Sequence, residues 1–177
     1  AVDNGISGLC MEGWHVPSDA EYTVLTAYLG GETGYSGGES EAGGKMKETG
    51  LAHWSSPNTG ATNESGFTGL PGGYRQDDGS YSGMGSSGIF WSSTERYGNG
   101  SLRMMGYNAS YFLMHDWPKN YGVNIRCLED EIPTGCTDPE ACNYDETATE
   151  DDGSCLENDC SGECGGDDSF CEDCAGV

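Results

Sequence analysis

The last 47 residues of this chain constrain it more than any other part. They hold seven of the nine cysteines, 15 acidic residues and no lysine or arginine. Five large apolar side chains accompany them: Ile132, Tyr144, Leu156, Phe170 and Val177. Five such residues cannot build a core, and a segment this small then needs disulfides or metal ions to fold. The stretch CNYDETATEDDGSC, residues 142–155, sets five carboxylates between two cysteines with no positive charge nearby. A solvated acidic tail is the plain alternative. The cysteine density argues against it. Cys136, Cys142, Cys155, Cys160, Cys164, Cys171 and Cys174 suit a disulfide framework made in an oxidising compartment. Cys171 and Cys174 also form a CxxC pair, but the segment has no histidine, and disulfides outweigh zinc. Seven is odd, so one thiol is free or pairs beyond the chain.

The same segment is rich in oxygen donors. Asp138, Asn143, Asp145, Asp151 and Asp152 recur at short intervals, and Gly153 allows a sharp turn. A second group follows at Asp159, Asp167, Asp168 and Asp173. Hard oxygen donors in excess favour Ca2+, which takes six to eight of them at about 2.3–2.6 Å. The expected metal ligands are therefore Asp138, Asn143, Asp145, Asp151, Asp152, Asp167 and Asp168, with Ca2+ as the cofactor. The formal charge of −23 is concentrated here, for residues 1–130 hold the other 15 acids and all seven bases. Such a balance repels nucleic acid and anionic membrane surfaces. No apolar run approaches the roughly 18 residues of a membrane span. With no signal peptide and no initiating methionine, the sequence reads as a mature or trimmed part of a longer protein.

Residues 1–130 read differently. Ser18 and Glu21 form a capping box, and Tyr22, Leu25 and Leu29 repeat at helical spacing up to Gly30-Gly31. Residues 30–44 have the composition of a flexible linker. Beyond them, Trp54, Phe67, Leu70, Tyr74 and Tyr81 punctuate the glycines, and large side chains at such intervals pin long loops to a core. Strand signals follow at GIFWSST, SLRMMGY, YFLMHDW and YGVNIRCLED, separated by turns at 97–100, 108–110 and 118–120. In the last run Val123, Ile125 and Cys127 alternate with polar residues and are expected to face inward. Cys10 is the other cysteine of this region. A Cys10–Cys127 bridge would join its start to its end, and a loop that long is worth about 4–5 kcal/mol in the chain-entropy account.

The motifs GWHVPSDAEYTVL, AGGKMKETG, HWSSPNTGATNESGFTGLPGGYR, FWSSTE and NIRCLED, in this order across roughly residues 9–130, resemble the Fibrobacter succinogenes major paralogous domain family. That family resembles the C-type-lectin-like fold, as does the formylglycine-generating enzyme. The resemblance implies an α+β fold, with one or two helices on small twisted antiparallel sheets and long glycine-rich loops over one end. It also implies a strand ahead of GWHVP that pairs with the last one. Only nine residues precede Cys10, so we expect a longer polypeptide, or an open edge covered by another chain through strand addition. The tail, GCTDPEACNYDETATEDDGSC with DCSGECGGDDSFCEDCAGV, resembles the cysteine-rich repeats of secreted bacterial surface proteins and the thrombospondin type 3 repeats, though without a strict DxDxDG loop. Two domains are expected, 1–130 and 131–177, the second a small irregular tail stabilised by disulfides and calcium.

Catalysis is not expected. His15, His53 and His115 lie in separate motifs, and neither a GxSxG elbow nor HExxH occurs. Cys127 is assigned to a structural bridge. Recognition fits better, because loops on a rigid base suit it. Tyr97 and Trp117 lie beside turns, where aromatic side chains give contact area at low entropy cost. Trp91, Phe112 and Met114 read as core. The EPN, QPD and WND triplets of calcium-dependent lectins are not found. The expectation is an extracellular or cell-surface adhesion module that binds a glycan or protein on another surface. The alternative is a structural subunit that contacts neighbouring chains of a surface assembly.

Overall fold

The computed structural model describes residues 8–31 and 41–166, in two compact units divided between Glu129 and Asp130. In the first unit, β1 (Trp14–His15) leads into α1 (Asp19–Tyr28) and the short α2 (Ala42–Met46). A hairpin of β2 (Gly72–Arg75) and β3 (Tyr81–Met84) follows. Next comes an antiparallel sheet of β4 (Ser87–Arg96), β5 (Asn99–Gly106) and β6 (Leu113–Trp117), in that order. Finally β7 (Leu128–Glu129) returns beside β1, with Trp14 opposite Glu129 and His15 opposite Leu128. The Cys10–Cys127 disulfide closes the same junction across 117 residues.

Local chemistry starts α1 as the spacing predicts. The Ser18 hydroxyl accepts from Glu21 N at 3.2 Å, and the Glu21 carboxylate accepts from Ser18 N at 2.7 Å. The helix then buries Tyr22 and Leu29 in a core completed by Ala42, Met46, Trp54, Phe90, Met105 and Phe112. Phe67 stands edge-on to both Phe90 and Phe112, at 5.3 and 6.4 Å. Full burial of each such side chain is worth about 1.5–3 kcal/mol.

Two cations lie inside this unit. Arg103 is buried on β5, where its Nε donates to Asp19 Oδ1 at 2.9 Å and its Nη2 to Thr23 Oγ1 at 2.7 Å. Asp19 opens α1, so its carboxylate also meets the positive end of the helix dipole. Lys47, just after α2, is fully enclosed and donates to three backbone carbonyls.

The loop-rich middle is ordered, with corrections to its expected anchors. Trp54 is buried and donates from its indole to Gly69 O at 3.0 Å. Leu70 and Tyr81 are exposed, so they pin nothing. Gly43 and Gly44, read from composition as the end of a linker, belong to α2. A methyl on Gly43 would overlap Tyr111 O, and one on Gly44 would overlap Gly60 O. Close approach of backbones requires glycine there. Residues 32–40 lie outside the described residues.

The last expected strand is also corrected. Ahead of β7, the run 121–127 makes isolated bridges: Gly122 with Arg75, and Asn124 with Phe90. Asn124 binds Ile89 O through its side chain at 2.8 Å as well. Pairing passes from β2 to β4 within three residues, so a period of two is not kept, and Ile125 is exposed. Arg126 instead lies over the Phe67 ring at 4.5 Å.

The second unit has no comparable core among the described residues. β8 (Thr134–Gly135) and β9 (Glu150–Asp151) form a short parallel ribbon. Disulfides join Cys136 to Cys155 and Cys142 to Cys164, Cys160 is disulfide-bonded too, and Cys136 is buried. Ile132, Tyr144 and Leu156 stay exposed, while Phe170 and Val177 lie outside the described residues.

Candidate functional site

Aromatic side chains collect at one end of the three-stranded sheet. The hairpin joining β4 and β5 turns through Tyr97 and Gly98, between the paired Arg96 and Asn99. Both central residues have positive φ, 51° and 80°, as a two-residue type I′ turn requires. Gly98 adopts this freely, whereas tyrosine does not. Tyr97 is 97% exposed. One step into the strands, Gly100 faces Trp117. A Cβ at Gly100 would come within 2.8 Å of the Trp91 ring, so glycine lets that ring lie across β5. Trp117 meets Tyr74 edge-on at 5.0 Å and Tyr121 at 5.4 Å. Lys119 pairs with Glu95 at the same end.

The two aromatic residues singled out from sequence therefore share one end of the sheet, in different states. Tyr97 projects from the turn. Trp117 is half-buried between Tyr121, which lies beside the same turn in sequence, and Tyr74, which is distant in sequence. Trp91, read as core, is likewise half-buried beside Gly100, while Phe112 and Met114 are buried as expected. Strand pairing brings Trp117 and Gly100 together, and no local pattern encodes that.

The acidic donors of the tail take up their own backbone. Asp138 Oδ1 accepts from Glu140 N, Asp145 Oδ1 from Thr147 N, Asp152 Oδ1 from Ser154 N and Asp159 Oδ1 from Ser161 N, each at 2.9 Å. These Asx turns recur every seven residues. Asp151 Oδ1 accepts from Gly153 N at 3.2 Å, and Asn143 links Ser154 O to Leu156 N. Hydrogen bonds from Thr147, Ser154 and Ser161 hold the carboxyls of Asp145, Asp152 and Asp159 below the ordinary aspartate range. Among the described residues, no three histidine, cysteine or acidic side chains gather around one point. Asp167 and Asp168 lie outside the described residues. The signal that finds this arrangement is Asp-x-Ser/Thr at positions 145, 152 and 159.

The family profile described as the Fibrobacter succinogenes major domain matches residues 2–129. The chain belongs to this family. Membership makes the Fibrobacter succinogenes major domain the first unit of the chain, and a bacterial surface or secreted domain. The disulfides agree with an oxidising compartment. No helix among the described residues is long and apolar enough to cross a membrane. Among curated proteins, ribulose bisphosphate carboxylase/oxygenase activase 1, chloroplastic, of Larrea tridentata is 68% identical over 25 residues. That stretch covers 14% of this chain and 5% of the activase, a local likeness. No solved structure matches the chain.

Within this major domain, each histidine has a separate setting. His15 Nε2 lies 2.9 Å from Glu21 Oε1, so it supports the capping box. His53 Nδ1 lies 2.9 Å from Glu48 Oε2 on the surface. His115 is half-buried on β6. Burial holds its pKa below the ordinary histidine value against the opposing charge of Asp116.

Proposed function

We propose that this chain is a non-catalytic recognition module, in which the major domain binds a glycan or protein through the aromatic end of its sheet. Tyr97 carries the proposal. A nearly fully exposed tyrosine with φ 51° stabilises nothing inside the chain. Its backbone is strained and its ring is left in water, so its use lies in contact with something else. Trp117, packed with Tyr74 and Tyr121, supplies a rigid aromatic surface at the same end. The acidic second unit serves as a disulfide-bonded spacer. Ca2+ serves there as a counter-charge to the crowded carboxylates. The non-catalytic reading is supported by the use of His15 and His53 as partners of structural carboxylates.

Screening the oxidised chain and its Tyr97→Asn variant on an oligosaccharide array and a panel of extracellular proteins tests this. Binding by the parent that drops at least about tenfold in the variant supports the proposal. Equal binding by both removes Tyr97 from the site.

One observation favours the alternative, a subunit of a surface assembly. The edge strand β3 carries no charge and exposes Tyr81 (80%) and Met84 (79%). Uncharged apolar edges invite pairing with another chain. Concentration-dependent association in sedimentation velocity, abolished by Met84→Lys, would favour that reading.

A further inference from the structure

The aromatic end of the sheet also carries charge. Glu95, Gly100 and Trp117 stand opposite one another across β4, β5 and β6, so they share one face. Arg103, three residues along β5 and therefore on the other face, reaches Asp19 of α1. The row of Glu95, Gly100 and Trp117 thus faces away from the helix. Gly100 has no side chain, and the six-membered ring of Trp91 takes that space, 2.8 Å from where a Cβ would stand. Lys119, two residues after Trp117, pairs with Glu95 of β4 across this glycine. Both members of the pair are half-exposed. Trp117 itself is held by Tyr74 and Tyr121, at 5.0 and 5.4 Å. An aromatic floor therefore lies beside an ion pair that stands in water.

Each part of this arrangement narrows the ligand. An exposed ion pair contributes little to the fold. A protein partner that covered it would strip water from both charges, at a cost that their attraction does not readily repay. A sugar avoids that cost, because its hydroxyls replace the displaced water. One donates to the carboxylate, and its neighbour accepts from the ammonium. The C–H faces of the same sugar are apolar and suit the negative π face of an aromatic ring. Tyr74, Trp117 and Tyr121 lie 5.0 to 6.5 Å apart, too close to admit a cation between them as an aromatic cage does. Residues 1–130 carry 15 acids against seven bases, a balance that repels uronic, sialylated and sulfated glycans. We infer that the aromatic end binds a neutral oligosaccharide, with Glu95 and Lys119 hydrogen-bonding adjacent hydroxyls of one sugar while Trp117 and Tyr97 offer their rings to its C–H faces. This inference names the ligand class of the recognition function proposed above, and rests on that reading.

The test takes the full oxidised chain with its Glu95→Gln and Lys119→Met variants. Each is applied to an array of neutral, uronic, sialylated and sulfated oligosaccharides and to the panel of extracellular proteins. Oligosaccharides that bind are then titrated calorimetrically at about 50 and about 500 mM NaCl. We expect neutral oligosaccharides to bind, with less than about a twofold change over that salt range. Each variant should lose about tenfold in affinity, as expected for a hydrogen bond to a charged group. The indole N–H signals of Trp91 and Trp117 should shift on binding, while those of Trp14 and Trp54 stay in place. Full affinity for the oligosaccharide in both variants would overturn the inference. A preference for anionic glycans would also overturn it, as would an array on which no glycan binds. Binding to proteins alone, lost in Tyr97→Asn, would overturn the ligand class and leave the recognition reading standing. Salt dependence, glycan preference and the indole shifts are all read on the parent chain, whether or not the variants fold.

Discussion

The two units of this chain handle charge in opposite ways. The first encloses it. Arg103 is matched to Asp19 at the start of α1, and Lys47 to three carbonyls, so each buried charge ties together segments distant in sequence. The second unit exposes its charge and binds Asp138, Asp145, Asp151, Asp152 and Asp159 each to a backbone N–H two residues on. Such turns organise a few residues each and bring no distant segments together. Disulfides must supply the long-range order there, where packing supplies it in the first unit. A charge is thus a packing element where a core can surround it, and a local turn-former where none can.

Breaking covalent bonds should separate the units most sharply. The loops closed by Cys136–Cys155 and Cys142–Cys164 span 19 and 22 residues, worth about 3 kcal/mol each in the chain-entropy account. With no core beneath them among the described residues, a Cys136→Ser, Cys155→Ser variant should lose the ordered amide spectrum of residues 130–166. The β4–β6 resonances should not move. Shifts spreading into that sheet would show that the units depend on one another.

The next largest effect belongs to the first unit. Arg103→Met keeps most of the side-chain volume but leaves the Asp19 carboxylate, largely enclosed, without its main partner. Removing one member of a buried pair costs about 3–5 kcal/mol. Urea melts should show that loss in the first unit only. A change under about 1 kcal/mol would mean that Arg96, 3.6 Å from Asp19, compensates.

What the sequence disclosed follows the same division between local and distant interactions. Ser18 and Glu21 are three residues apart, so the capping box could be read directly, and the Tyr97-Gly98 turn was visible as punctuation between apolar runs. The Cys10–Cys127 bridge could be expected because the first region holds no other cysteine. Lys47 and Arg103 gave no signal, since their partners lie 12 to 84 residues away. Gly43 and Gly44 were misleading, because composition cannot tell glycine kept for mobility from glycine kept for close approach. The seven-residue spacing of aspartates was present throughout. Its turn-forming role follows from Thr147, Ser154 and Ser161, each two residues after an aspartate.

Acid sharpens the contrast further. The carboxyls of Asp145, Asp152 and Asp159 are lowered from an ordinary 3.8 by hydrogen bonds to the folded tail. Their contribution is complete above that value and is lost as pH falls below it through the lowered folded values. The Thr147, Ser154 and Ser161 amide resonances should therefore move together below about pH 3.8, each losing its carboxylate acceptor. Thr147→Ala should raise the Asp145 midpoint alone. Calcium titrated into the tail at neutral pH should bind weakly and without a sharp end point. Saturable binding abolished by Asp167→Asn and Asp168→Asn would place a true centre at those residues.

The smallest expected effect bears most directly on function. Tyr97→Asn creates Asn-Gly at the centre of the β4–β5 turn, the pair best suited to two successive positive φ angles. It relieves backbone strain and removes an exposed ring, and no packing is lost because Tyr97 is 97% exposed. Stability should therefore rise, by about 1 kcal/mol, visible as a higher urea midpoint with an unchanged slope. Together with lost binding, such a gain would show a residue kept for contact at the expense of the fold, as binding surfaces often require. A variant less stable than the parent would mean that Tyr97 supports the hairpin. The recognition surface would then rest on Trp117, Tyr74 and Tyr121 alone.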